Sequence, residues 1–195
     1  AANIWTNPGE IAGNGIDDDG NGYVDDLHGY DFAYGDGDPM DVNSHGTHAA
    51  GTIGAVGNNG IGVTGVTWDV QIMAIKFLSD NGTGYTSDAV SALNYAVAMG
   101  ATLSNNSWGG GPFAQAMLAA IQNARVQGHI FVAAAGNNYG SDNDVNPHFP
   151  SNYDVDNVVS VASTTHNDTL SGFSNIGATT VDLGAPGSSI LSTIP

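Results

Sequence analysis

An α/β fold built on a mainly parallel sheet, with helices on both faces, is what this chain predicts. Three observations predict it. Short apolar runs alternate with helical stretches from Val70 onward, glycines and turn residues punctuate both kinds of element, and 41% hydrophobic residues across 195 positions can supply a real core. Strands separated by helices place the ligand crevice beyond the carboxyl ends of the strands.

Residues 1–41 read as an acidic, glycine-rich arm in which Pro8, Gly9, Gly13, Gly15, Gly20 and Gly22 leave hardly any apolar period. Inside it, Asp17-Asp18-Asp19-Gly20-Asn21-Gly22-Tyr23-Val24-Asp25-Asp26 sets Asp17, Asp19 and Asn21 at alternate positions around a glycine, as the first half of an EF-hand loop does. His28 stands where an EF-hand carries its bidentate glutamate, so Asp25 or Asp26, with the Tyr23 carbonyl, is expected to close a calcium shell. The competing expectation is a solvated acidic turn.

Asn43-Ser44-His45-Gly46-Thr47-His48 follows, running into the small residues Ala49-Ala50-Gly51-Thr52, where a helix can start with an imidazole at its mouth. Gly57-Asn58-Asn59-Gly60-Ile61-Gly62-Val63 reads as a loop. Val70 to Leu78 is a buried strand, broken by Asp80-Asn81-Gly82. Thr86 or Ser87 caps a helix with Val90, Leu93 and Val97 on one face, stopped by Gly100. Ala101–Ser107 is the next strand. A helix with Met117, Leu118, Ile121 and Ala124 on one face ends at Gly128; strands follow at Ile130–Ala135, Val158–Ser163 and Val181–Leu183.

The carboxyl-end rule selects two turns, Asn105-Asn106-Ser107-Trp108-Gly109-Gly110 and Ala133-Ala134-Ala135-Gly136-Asn137-Asn138, where glycines let backbone approach a ligand and asparagine amides can donate.

His45-Gly46-Thr47-His48-Ala49-Ala50-Gly51-Thr52 resembles the histidine motif of the subtilisin-like serine proteases, and the resemblance covers residues 27–195 in order. It implies that family's three-layer fold and makes residues 1–195 one partial peptidase domain. It implies His45 as general base and Asn137 as oxyanion donor. Ser107, Trp108 and Gly109, with Ala134, Ala135 and Gly136, are then one peptide-binding edge and the wall of the first specificity pocket; Gly82, Thr83 and Gly84 are the second edge. His148-Phe149-Pro150 resembles the loop where the family commonly has a cis proline. The Gly57–Val63 loop is implied to hold calcium through the Asn59 side chain and the Gly57, Ile61 and Val63 carbonyls, with Asp31 as a further carboxylate.

The family uses Asp, His and Ser in that chain order, and this sequence matches one of the three. No Asp-Thr/Ser-Gly turn after an apolar strand precedes His45, and no Gly-Thr-Ser-Met-Ala string follows it, so the expectation is a fold truncated at both ends. The leading expectation is a serine endopeptidase represented by its central portion. The alternatives are an ester hydrolase with Ser107 as substitute nucleophile, and an inactive module that binds calcium or peptide. A metal hydrolase using His45, His48 and Asp41 is disfavoured because His-x-x-His lacks the i, i+4 spacing of a zinc helix.

Two basic residues, Lys76 and Arg125, oppose nineteen acidic ones, giving −17. That balance repels phosphate backbones and anionic membranes, so nucleic acid and membrane are expected not to be partners. No run of about eighteen apolar residues is present, and the absence of cysteine excludes disulfides and thiolate sites. The family resemblance further implies peptide or ester substrates and a secreted location, and self-association through a surface exposed by truncation is expected.

Overall fold

A computed structural model describes residues 2–195. The chain forms two compact units: one runs to Ala92 and takes in Leu191–Pro195, the other is Leu93–Ile190.

In the first unit, β1 (Gly29–Asp31) lies parallel to β2 (Ala74–Lys76), with Gly29 opposite Ala74 and Asp31 opposite Lys76. A strand inside the glycine-rich arm was not expected. Three residues are too few to show a period, and long-range partners specify this one. Gly29, at φ 129°, lets the backbones close, since a Cβ there would collide with the Ala74 carbonyl. Tyr23, Tyr30 and Phe32 meet edge-on with centroids 4.7 to 5.4 Å apart. The Lys76 ammonium lies 3.0 Å from buried Asp31 and 2.9 Å from Asp80. Of the expected Val70–Leu78 strand, only the central residues pair as β2, with Ile72 bridging Ile4.

Helix α1 (His45–Gly54) opens the histidine stretch. Its first turn is secured by Asp41, whose Oδ1 accepts from the Asn43 and Ser44 N–H groups and whose Oδ2 accepts from the Thr47 N–H and hydroxyl. Burial opposes ionisation of Asp41, but the bonds from Thr47, Asn43 and Ser44 outweigh it and hold the carboxyl below its usual range. The small-residue run has a packing reason: Thr193 Oγ1 donates to the Thr47 carbonyl and Ser192 Oγ to that of His48, and a Cβ at Gly51 would strike Thr193.

Helix α2 (Thr86–Ala98), within which the division between units falls, buries Ala89, Ala92, Leu93, Tyr95 and Ala96. Gly100 takes a left-handed conformation at its end, as the sequence predicts.

The second unit is a four-stranded, all-parallel sheet in the order β3 (Leu103–Asn106), β4 (Ile130–Ala134), β5 (Val158–Thr164), β6 (Leu183–Pro186). Helix α3 (Gln115–Val126) links β3 to β4 and buries Met117, Ala120, Ile121 and Ala124. Ala120, rather than the expected Leu118, completes its inward stripe. Phe131 and Ile121 are fully buried at the centre. The last strand begins at Leu183 instead of Val181, because residues 178–180 are committed to Asp144, whose carboxylate accepts from the Ala178, Thr179 and Thr180 N–H groups and the Thr180 hydroxyl. Among the described residues, no helix is long and apolar enough to cross a membrane.

Candidate functional site

His45 is the first residue of α1 and is exposed, on a turn fixed by the Asp41 cap. Asn43 Nδ2 donates to the Asp80 carbonyl, which ties the histidine loop to the turn carrying Gly82, Thr83 and Gly84. That turn is closed by Ser79, whose N–H and hydroxyl both donate to the Thr83 carbonyl, and by Asn81 Oδ1, which accepts from the Thr83 N–H. Its outer face remains exposed.

In the second unit, a cavity of about 620 Å³ lies at the carboxyl ends of β3 and β4. Ser107, Trp108, Gly109, Ala134, Gly136 and Asn137 line it, so both selected turns converge there. Ala135, expected with them, is instead buried, its carbonyl accepting from Asn143 Nδ2. At φ 115°, Gly136 turns the chain into the cavity, where a side chain would collide with Asn175. The Asn137 amide is exposed and bonds to none of the described residues, which leaves its two N–H donors for a ligand.

Two asparagines that the sequence did not single out position this turn. Asn175 Oδ1 accepts from the Asn138 N–H at 2.6 Å, and Asn175 Nδ2 donates to Asn143 Oδ1 at 2.9 Å; both residues are buried. Such a network is satisfied only with the Gly136–Asn138 backbone in one place. The Phe149–Pro150 peptide is cis, and His148 before it lines the cavity. Burial pushes the His148 imidazole below its ordinary pKa, toward the neutral form.

Ser107 Oγ accepts from Asn105 Nδ2 at 3.0 Å, and among the described residues no imidazole bonds to it. A buried histidine elsewhere serves structure: His129 Nδ1 meets the Ala101 carbonyl at 2.8 Å and Nε2 the Ser104 hydroxyl at 2.9 Å.

The acidic arm forms the third part. Glu10, Asp19 and Asp26 bring carboxylate oxygens within 4.8 Å of one another, a cluster able to hold a metal ion. Asp19 and Asp26 belong to the expected shell; Glu10 lies outside the alternating string and leaves no signal in it. Asn7 Nδ2 donates to both aspartates, and Asn21 Nδ2 does the same. Glu10 Oε1 accepts from the Asp18 N–H, while Oε2 is buried without a partner. Neither basic residue offsets the cluster, since Lys76 pairs with Asp31 and Asp80, and Arg125 with Asp156. Hard oxygens, buried negative charge and an orphaned carboxylate oxygen fit calcium.

Two of the other expected carboxylates are engaged within the arm: Asp17 accepts from the Asn21 and Gly22 N–H groups and Asp25 from those of Asn14 and Gly15. In the Gly57–Val63 loop, Asn59 Oδ1 accepts from the Ile61 N–H and both Gly60 and Gly62 are left-handed. Asp31 accepts from the Ala33 and Tyr34 N–H groups and pairs with Lys76, which commits both of its oxygens.

Residues 4–194 match the model of the subtilase family. The chain is 42% identical over 168 residues to a thermophilic serine proteinase of Bacillus sp. (strain AK1), covering 86% of this chain and 40% of that protein. It is 38% identical over 169 residues to thermitase of Thermoactinomyces vulgaris, covering 87% of this chain and 58% of that one. Among solved structures, a cold adapted subtilisin-like serine proteinase superposes with a TM-score of 0.73 at 38% identity, over 85% of this chain and 56% of the other. The chain thus spans about half the length of these relatives.

Proposed function

The chain belongs to the subtilase family, and on that premise we propose that it is part of a serine endopeptidase in which His45 serves as general base and Asn137 as oxyanion donor. The observation that carries the reading is the uncommitted Asn137 amide at the lip of a polar cavity, on a turn held by Gly136 and by buried Asn175. In acyl transfer, a preorganised amide of this kind stabilises charge that develops on the carbonyl oxygen. His45, exposed at the start of a capped helix, accepts the nucleophile's proton. The Ser107–Gly109 and Gly82–Gly84 segments receive an extended peptide.

The nucleophile and the orienting carboxylate are assigned to no residue of this chain. Ser107 is the substitute candidate, and the bond it accepts from Asn105 brings it no base. A serine-directed fluorophosphonate separates the readings. Labelling of Ser107 in this chain supports the ester hydrolase. No label here, with a label on a longer product of the same gene, supports the peptidase, and no label on either supports the inactive binding module.

Calcium is the proposed ion of the arm, with Glu10, Asp19 and Asp26 as carboxylate ligands and Asp17, Asn21, Asp25 and the Tyr23 carbonyl close by in sequence. The Gly57–Val63 loop, through Asn59, Gly57, Ile61 and Val63, is a second proposed calcium loop. A secreted location is proposed from the family resemblance, the absence of cysteine fitting either compartment.

A further inference from the structure

Resting on the reading of this cavity as a substrate pocket, we infer that His148 makes it selective for side chains that end in an oxygen acceptor, the glutamine and glutamate class. The imidazole is wedged between the two turns. A Cβ at Gly109 would collide with it, and one at Gly136 would stand 3.0 Å from Nε2, so glycine at both positions leaves room for the ring. Neither ring nitrogen bonds to another described residue, and Nδ1 is buried without a partner. A neutral imidazole always carries one N–H; with Nδ1 buried, the donor a ligand can meet is Nε2–H, which has no acceptor among the described residues.

The rest of the lining fits the same ligand. Trp108 and Phe149 offer apolar surface to an aliphatic stem, while Asn137, Asn138 and Asn146 add amide groups. No carboxylate lines the cavity, although the chain carries nineteen acidic residues. A lysine or arginine side chain would therefore find no counter-charge, and a leucine would leave the imidazole donor buried and unpaired. Glutamine or glutamate supplies the missing acceptor. No other lining residue titrates, and burial holds the His148 imidazole toward its neutral form, so glutamine and glutamate meet one N–H donor there.

The test needs no catalysis. Succinyl-Ala-Ala-Pro-Xaa amides, with Xaa glutamine, glutamate, leucine or lysine, are titrated into the full chain while the His148 Cε1–Hε1 and Trp108 indole NMR signals are followed. The inference expects glutamine and glutamate to bind about tenfold tighter than leucine or lysine, with the His148 signal moving in step. H148L should erase that advantage and H148Q, which keeps a donor, should retain it; matching thermal melts show that both variants fold. If every peptide moves the Trp108 signal with no dependence on Xaa or on His148, selectivity by His148 is overturned while the pocket stands. If no peptide moves either signal, the pocket reading falls and the inference falls with it.

Discussion

Buried Glu10 and buried Asp26 hold carboxylate oxygens within 4.8 Å of each other, and neither of the chain's two basic side chains lies on them. Carboxylates brought this close repel one another, and a shared cation relieves that repulsion. With calcium bound, excess chelator should lower the melting temperature well beyond the effect of equal ionic strength, and Glu10→Gln should remove most of that difference. A melt that ignores chelator would sink the calcium proposal for both loops.

Hydrolysis by this chain, where measurable, should be far faster on aryl esters than on peptides. His45→Ala should abolish it, and Asn137→Ala should lower turnover by about 10² to 10³. Asn175→Ala should act in the same direction as Asn137→Ala, because Asn175 fixes the turn that aims the amide. Initial rates on a nitrophenyl ester, with the variants purified in parallel, check this; unchanged turnover in His45→Ala would assign the activity elsewhere.

Asp41 predicts an acid limit for the start of α1. Its folded pKa lies below its ordinary value, so its stabilisation is present above about pH 4 and is lost as the pH falls through the folded value. Asp41→Ala should cost about 1 kcal/mol at pH 7 and little at pH 2. Denaturant titrations at the two pH values read the difference directly.

Self-association is expected through β3. Among the described residues that strand is hydrogen-bonded in a ladder with β4 alone, and Leu103 on it is 53% exposed, while Ile72, Ile75 and Val132 are half-buried. Light scattering on a dilution series should show a dimer or larger species, and Leu103→Glu should shift it toward monomer. A mass independent of concentration and equal to one chain would count against it.

The parts legible in the sequence are those with a local signal. Helix α2 starts at Thr86, itself read as a candidate cap, so its cap falls one residue earlier, at Tyr85; Gly100 follows its end as read, and the alternation of strands and helices is the parallel sheet of the second unit. Long-range partners leave no such trace. Glu10 meets Asp26 only after the arm folds back, and β1 exists because Ala74–Lys76 lies beside it. Asn143 and Asn175 are single polar residues in loops, where periodicity says nothing about burial. His148 falls in a stretch singled out for its proline, so the chemistry of the histidine itself passed unread.

The scarcity of positive charge, met first as electrostatics, also governs how the chain can be cut. A protease that cleaves after lysine or arginine has two bonds to choose from, and Lys76 is held by Asp31 and Asp80 beneath the Tyr34 ring, with 15% of its side chain exposed. Arg125 is 52% exposed at the end of α3. Limited trypsin digestion of the folded chain should therefore begin after Arg125 and leave Lys76 for later, so basic-specific enzymes find one accessible bond while those that favour apolar or acidic residues have many.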